Sequence, residues 1–232
     1  MLKVENITKR FSGITAVDNV SLSVNEGETV GVIGTNGAGK TTLFNIISGF
    51  ERADSGTVLY KGRNVTNLPP NKLGFARTFQ NLRLFCGMTV RENLLVSAFA
   101  KKTDPKMCDD LLRATGLWGK RDRLASALGY GEMRKLELAR AVSTGARMLL
   151  LDEPSAAMTE TEAKALAKIL ERLKRDYALT VLMIEHNMQL VRLSCDRVYA
   201  MAEGRVIFSG TPQSTLSDPT VIKTMLTTEK IC

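Results

Sequence analysis

Gly34-Thr35-Asn36-Gly37-Ala38-Gly39-Lys40-Thr41 decides the fold. The run ahead of it, Thr29-Val30-Gly31-Val32-Ile33, is nearly all apolar, the pattern of a strand covered on both faces. Thr41 to Ser48 behind it reads as a helix, so the octapeptide is a turn from a buried strand into a helix start. Glycines at this spacing let successive backbone N–H groups turn inward around phosphate oxygens, and the helix adds its positive dipole end. Asn36, Gly37, Ala38 and Gly39 then supply the backbone of the cradle, and Lys40 reaches the β- and γ-phosphates. The Thr41 hydroxyl is placed on Mg2+ and Thr42 beside the α-phosphate. ATP and Mg2+ are the expected ligands, and hydrolysis the expected reaction.

Outward from the loop, Leu2 to Ile7, Val20 to Val24 and Thr57 to Tyr60 are short runs of strand-forming residues between turns. From about Asn81 to Gly131 the character changes, with helices predicted over Val90 to Lys101 and Met107 to Thr115 and no strand run. After a helix through Val142, Met148 to Leu151 is a buried strand that ends in Asp152 and Glu153. Two adjacent carboxylates at a strand end repel without a cation, and these lie about 110 residues after the phosphate loop. Asp152 is therefore expected to hold Mg2+, and Glu153 follows it directly. Thr161 to Tyr177 is helix-forming, Thr180 to Ile184 is a strand, and Arg197 to Met201 with Arg205 to Ser209 predicts a closing hairpin. Helices alternating with parallel strands give an α/β class.

The 232 residues suffice for one large domain with an inserted subdomain. No apolar run reaches the length of a membrane-spanning helix, and Met1 to Ile7 lacks a secretory pattern, so a cytoplasmic location is expected. Cys86, Cys108, Cys195 and Cys232 have no metal or disulfide spacing and read as reduced thiols. A net charge of +8 suits an anionic partner, but the basic residues are spread without a dense tract or interleaved aromatics. No nucleic acid is expected.

Leu128-Gly129-Tyr130-Gly131-Glu132 and the helix Met133 to Ala141 resemble the L-S-G-G-Q signature of the nucleotide-binding subunits of ATP-binding-cassette (ABC) transporters. Gln80 in Arg77-Thr78-Phe79-Gln80-Asn81 is similar to that family's glutamine loop, and His186, the only histidine, to its switch histidine. The resemblance spans nearly the whole chain. It implies a P-loop NTPase with a RecA-like core, an N-terminal antiparallel β subdomain and an inserted helical subdomain. Residues 1–80 and 132–232 would form the catalytic core of one ABC ATPase domain, and 81–131 the helical and signature part. It also implies roles: Glu153 polarises the attacking water, His186 bonds the γ-phosphate, and Gln80 meets Mg2+ and senses the partner. Lys40 joins these three in catalysis. Phe11 would stack on adenine with Val17 beside it, and Gly129, Gly131 and Glu132 would face the nucleotide of a second subunit in a head-to-tail dimer.

Gly74 to Phe85, Met88 to Val96 and the tail Gly210 to Ile222 are similar to the subgroup that imports branched-chain amino acids and related amides. The partners so implied are a second ABC ATPase subunit, like or unlike, transmembrane permease subunits and, indirectly, a substrate-binding protein. The location implied is peripheral, on the inner face of the cell membrane. Asn81 to Met88, with Leu82, Leu84, Phe85 and Met88, would help form the groove for the permeases. The sequence departs from the family pattern in three places. Gly129 and Tyr130 stand for the signature serine and glycine, Thr159 stands for an aspartate, and the insert between Val96 and Leu128 is short. A cassette ATPase clamping nucleic acid would carry a long coiled coil or a second cassette, and a phosphate-loop kinase would leave His186 and the signature without roles.

Overall fold

The computed structural model describes residues 1–228; Cys232 lies outside the described residues. The chain opens on a hairpin of β1 (Leu2–Phe11) and β2 (Ile14–Val24). Its two-residue turn, Ser12-Gly13, has positive φ at both positions, the geometry that matches the twist of paired strands. The phosphate loop joins β3 (Thr29–Gly34) to α1 (Lys40–Ile47), and β4 (Ser55–Tyr60) and β5 (Arg63–Asn64) follow. The first sheet has the order β2-β1-β4-β5 and is antiparallel. Expected strands Leu2 to Ile7 and Val20 to Val24 are thus the parts of longer strands that lie away from the turn.

The second sheet contains β3, β6 (Phe75–Arg77), β7 (Met148–Asp152), β8 (Thr180–Ile184), β9 (Arg197–Ala202) and β10 (Arg205–Gly210). Its order is β10-β9-β3-β8-β7-β6, parallel throughout except for the β9–β10 hairpin. The three-residue β6 had no counterpart in the sequence pattern. It is an edge strand paired to β7, and it carries the chain from the first sheet to Gln80.

Every residue of β3, β7 and β8 is buried. Alternate residues serve different cores: Leu149 and Leu151 of β7 pack with α2 (Val90–Lys101), α3 (Lys106–Ala114), α4 (Tyr130–Ser143) and α5 (Glu160–Tyr177). Met148 and Leu150 pack toward α1 and the first sheet. The period of two therefore explains why a continuous apolar run was required here. The chain closes with α6 (Met188–Ser194), α7 (Pro212–Ser217) and α8 (Pro219–Thr228). The expected boundary at 131/132 falls in the first turn of α4.

Neighbouring β3, β8 and β7 all run parallel, so their carboxyl ends lie side by side. The loop after β3, Glu153 after β7 and His186 after β8 meet there. Ligands of open α/β sheets bind at that end.

Candidate functional site

Three glycines of the loop have positive φ: Gly34 at 153°, Gly37 at 80° and Gly39 at 91°. Gly39 precedes the first turn of α1, and a Cβ there would collide with the carbonyl oxygen of Ala16. Glycine is thus required both by backbone conformation and by the approach of β2. The buried Lys40 ammonium donates to the carbonyls of Gly34 and Thr35, each at 2.8 Å, tying the loop across its mouth. Burial lowers the Lys40 pKa, while the nearby charges of Glu153 and Asp152 oppose that shift.

A cleft of about 250 Å3 is lined by Ala16, Asn36, Gly37, Ala38, Gly39, Lys40, Thr41, Thr42, Gln80, Glu153 and His186. Gln80 Nε2 donates to Glu153 Oε2 at 3.1 Å, and His186 Nε2 lies 3.2 Å from Glu153 Oε1. Glu153 itself has φ of 48°, a sparsely populated conformation for a residue with a side chain. Its backbone is held there by an N–H donated to the Ile184 carbonyl at 3.0 Å. Phe11, at the end of β1, is exposed and has the Lys9 ammonium 5.0 Å from its ring centroid. A larger cleft of about 490 Å3 opens beside Thr29 and Cys195, at the start of β3 and so away from the phosphate loop. Burial there pushes the Cys195 thiol up to about 12, which leaves it inert.

Val17, expected beside Phe11 at the adenine, is not among the residues lining the cleft. It is fully buried in the core beneath the first sheet, and its neighbour Ala16, facing the other way along β2, lines the cleft instead. Gly129, Gly131 and Glu132 do not line this chain's cleft; they form the start of α4. Glu132 accepts from Lys120 at 2.5 Å and from the Gly129 N–H at 3.3 Å, and the Lys120 bond lowers its pKa. Thr159 serves the structure of the chain itself. Its hydroxyl caps α5 by accepting from the Glu162 N–H, while the Glu162 carboxylate accepts from the Thr159 N–H in return.

Asp152 is buried, and its Oδ2 accepts from Arg77 Nη2 at 3.0 Å. Arg77 also donates through Nη1 to Asn45 Oδ1 at 2.8 Å and Ser48 Oγ at 2.6 Å, so β6 aligns the acidic strand end with α1. Among the described residues no group of three or more His, Cys, Asp or Glu side chains is arranged for a metal. Of the oxygens expected to hold a cation, the Thr41 hydroxyl and the Gln80 amide belong to the cleft lining, whereas the Asp152 carboxylate lies outside that lining and is engaged by Arg77. These oxygens fit a hard ion such as Mg2+, which needs few protein ligands.

Sequence reasoning passed over Glu185. Its buried carboxylate accepts from Ser155 N at 2.8 Å and Ser155 Oγ at 2.7 Å through Oε1, and from His186 N and Asn187 N, both at 2.9 Å, through Oε2. One side chain thus joins the loop after Glu153 to the backbone carrying His186. Only a glutamate next to the histidine marked it in the sequence.

A family model described as ABC transporter matches residues 17–156, a span that contains both the phosphate loop and Glu153. The chain belongs to that family. It is an ABC ATPase. This ABC ATPase is 38% identical to the high-affinity branched-chain amino acid transport ATP-binding protein LivG of Salmonella typhimurium, over 97% of each chain. It is 37% identical to the corresponding protein BraF of Pseudomonas aeruginosa, again over 97% of each. Among solved structures it is similar to an ATP-binding cassette of an ABC transporter in its ADP conformation, with a TM-score of 0.89 and 34% identity. That match covers 97% of this chain and 98% of the other. As an ABC ATPase it binds nucleotide and hydrolyses ATP.

Proposed function

We propose that this ABC ATPase energises a membrane importer for branched-chain amino acids or related amides. The observation that carries its catalytic part is the Glu153 carboxylate held between Gln80 and His186 beside the Lys40 loop. The importer reading is supported by identity to LivG and BraF along almost the whole chain. In this reading the loop N–H groups and Lys40 hold the phosphates, and Phe11 stacks on the adenine. Glu153 takes a proton from the attacking water, while His186 and Gln80 fix the carboxylate and the γ-phosphate relative to it. Mg2+, held by Thr41, Gln80 and Asp152, would screen the phosphate charge.

Since Gly129, Gly131 and Glu132 lie off their own cleft, they are proposed to close the cleft of a second ABC ATPase subunit, like or unlike, in a head-to-tail dimer. The exposed Gly129 and Tyr130 leave that surface open. Residues 1–80 and 132–232 act as the catalytic core and 81–131 as the helical part. Exposed Phe85 and Met88 would receive permease segments, whereas Leu82 and Leu84 are half-buried and serve as footing. No helix among the described residues is long and apolar enough to cross a membrane, so attachment to the inner face would come through those permeases.

Reconstitution with the neighbouring permease and binding-protein subunits tests the reading. Branched-chain amino acid uptake should require ATP and stop in Glu153→Gln while ATP binding persists. Uptake retained by that variant, or uptake of only unrelated solutes, would overturn it.

A further inference from the structure

Arg134 is 3% exposed, yet it sits between two exposed functional segments. Every N–H of its guanidinium is used. Nε and Nη2 donate to the Tyr130 hydroxyl at 3.1 and 2.8 Å; Nη2 also donates to the Gln80 carbonyl at 2.5 Å. Nη1 donates to the Phe79 carbonyl at 3.0 Å and to Glu137 Oε2 at 3.1 Å. Glu137 is equally buried, and its Oε1 accepts from the Arg83 N–H at 3.4 Å, on the far side of the same loop. The Phe79 ring between these anchors has the guanidiniums of Arg83 and Arg77 at 3.6 and 4.9 Å.

We propose that Arg134 is a positioning residue that ties the backbone of Gln80 to Tyr130, coupling the nucleotide cleft of this chain to the signature segment it offers to another subunit. The inference rests on the roles assigned above to Gln80 and the signature. Its physical basis is that a buried, fully bonded ion pair moves as one body. Separating Arg134 from Glu137, or from the two loop carbonyls, leaves a buried charge or donor unpaired. A shift of Gln80 toward a phosphate therefore carries its carbonyl, the guanidinium and the first turn of α4 with it. The Lys120–Glu132 pair makes that turn stiff, because it pins the residue two places beyond Tyr130. Tyrosine in place of a signature glycine acquires a reason: its hydroxyl is the acceptor at the outer end of the link. A guanidinium suits this role and an ammonium does not, because planar N–H groups must reach separate acceptors in fixed directions.

Hydrogen–deuterium exchange of the purified chain tests the proposal, with a non-hydrolysable ATP analogue and at a concentration where light scattering shows single chains. In the wild type the analogue should protect residues 36–42 and change exchange across 128–133 by about threefold or more. Arg134→Met should keep the protection at 36–42 and lose the response at 128–133. Tyr130→Phe, which removes only the outer acceptor, should lose at least half of it and remains informative if Arg134→Met fails to fold. A normal 128–133 response in both variants overturns the coupling, as does a wild type that responds at 36–42 alone. No protection at 36–42 in the wild type would instead defeat the nucleotide site itself, and the coupling with it.

Discussion

Glu185→Gln replaces one carboxylate oxygen by an amide NH2 and leaves the side-chain volume unchanged. All four bonds that Glu185 makes are accepted ones, three of them from backbone N–H groups. Whichever way the amide is turned, its NH2 faces at least one backbone N–H that it cannot satisfy. Turned toward Ser155 it opposes one, and turned toward His186 and Asn187 it opposes two. Hydrogen bonds to a charged group are worth about 1.5–3 kcal/mol each, and an unsatisfied buried donor costs about 1–3. The better orientation therefore costs about 2–4 kcal/mol once the weaker neutral bonds are included. For a chain of this size that is a fall in Tm of roughly 5–12 °C by thermal shift. Because the released backbone carries His186, kcat should drop about 10- to 100-fold, while fluorescent-nucleotide affinity at the phosphate loop stays near that of the wild type. A variant with Tm within about 2 °C of wild type and unchanged kcat would refute the reasoning.

Gly39→Ala forces a side chain into a left-handed conformation that costs roughly 1–2 kcal/mol before the collision with the Ala16 carbonyl is counted. ATP affinity, read by titration calorimetry, should fall by at least about tenfold. Phe11→Ala should raise the Kd for ATP roughly 2- to 12-fold, the equivalent of a stacking contact of about 0.5–1.5 kcal/mol, and Phe11→Trp should restore it. Unchanged binding by the alanine variant would remove Phe11 from the site. The Glu28 pKa is lowered: burial pushes it up, but bonds from Arg197 and the Asn25 N–H outweigh that. Its stabilising effect should be present above the unfolded value near pH 4.3 and vanish as pH falls through the lower folded value. The gap in Tm between wild type and Glu28→Gln should accordingly stay constant from about pH 6 to 8 and close below about pH 4.

The sequence was readable wherever function is written in contiguous backbone. The phosphate loop, the apolar strand before it and Asp152–Glu153 at the end of β7 depend on local pattern, and they stand where the pattern put them. Which of Ala16 and Val17 faces the cleft is not written in the local pattern, because adjacent strand residues face opposite ways. Arg77, Arg134 and Glu185 escaped notice for another reason. Their partners lie far away in the chain: Arg77 and Asp152 are 75 residues apart, Arg134 and Gln80 54, and Glu185 and Ser155 30. Nothing local marks an arginine as buried or a glutamate as bonded four times over. Strand β6 hid for want of length, since three residues at a sheet edge show no periodicity.

In the proposed function, the carboxylate between Gln80 and His186 drives hydrolysis at a site whose phosphate grip is separate. Single-turnover ATP hydrolysis by Glu153→Gln, with nucleotide affinity measured on the same preparation, tests it most directly. The account predicts a loss of rate of about 100-fold or more with affinity unchanged within about threefold, the size expected for removing a general base. Hydrolysis within a few-fold of the wild type, or a loss of binding equal to the loss of rate, would contradict it.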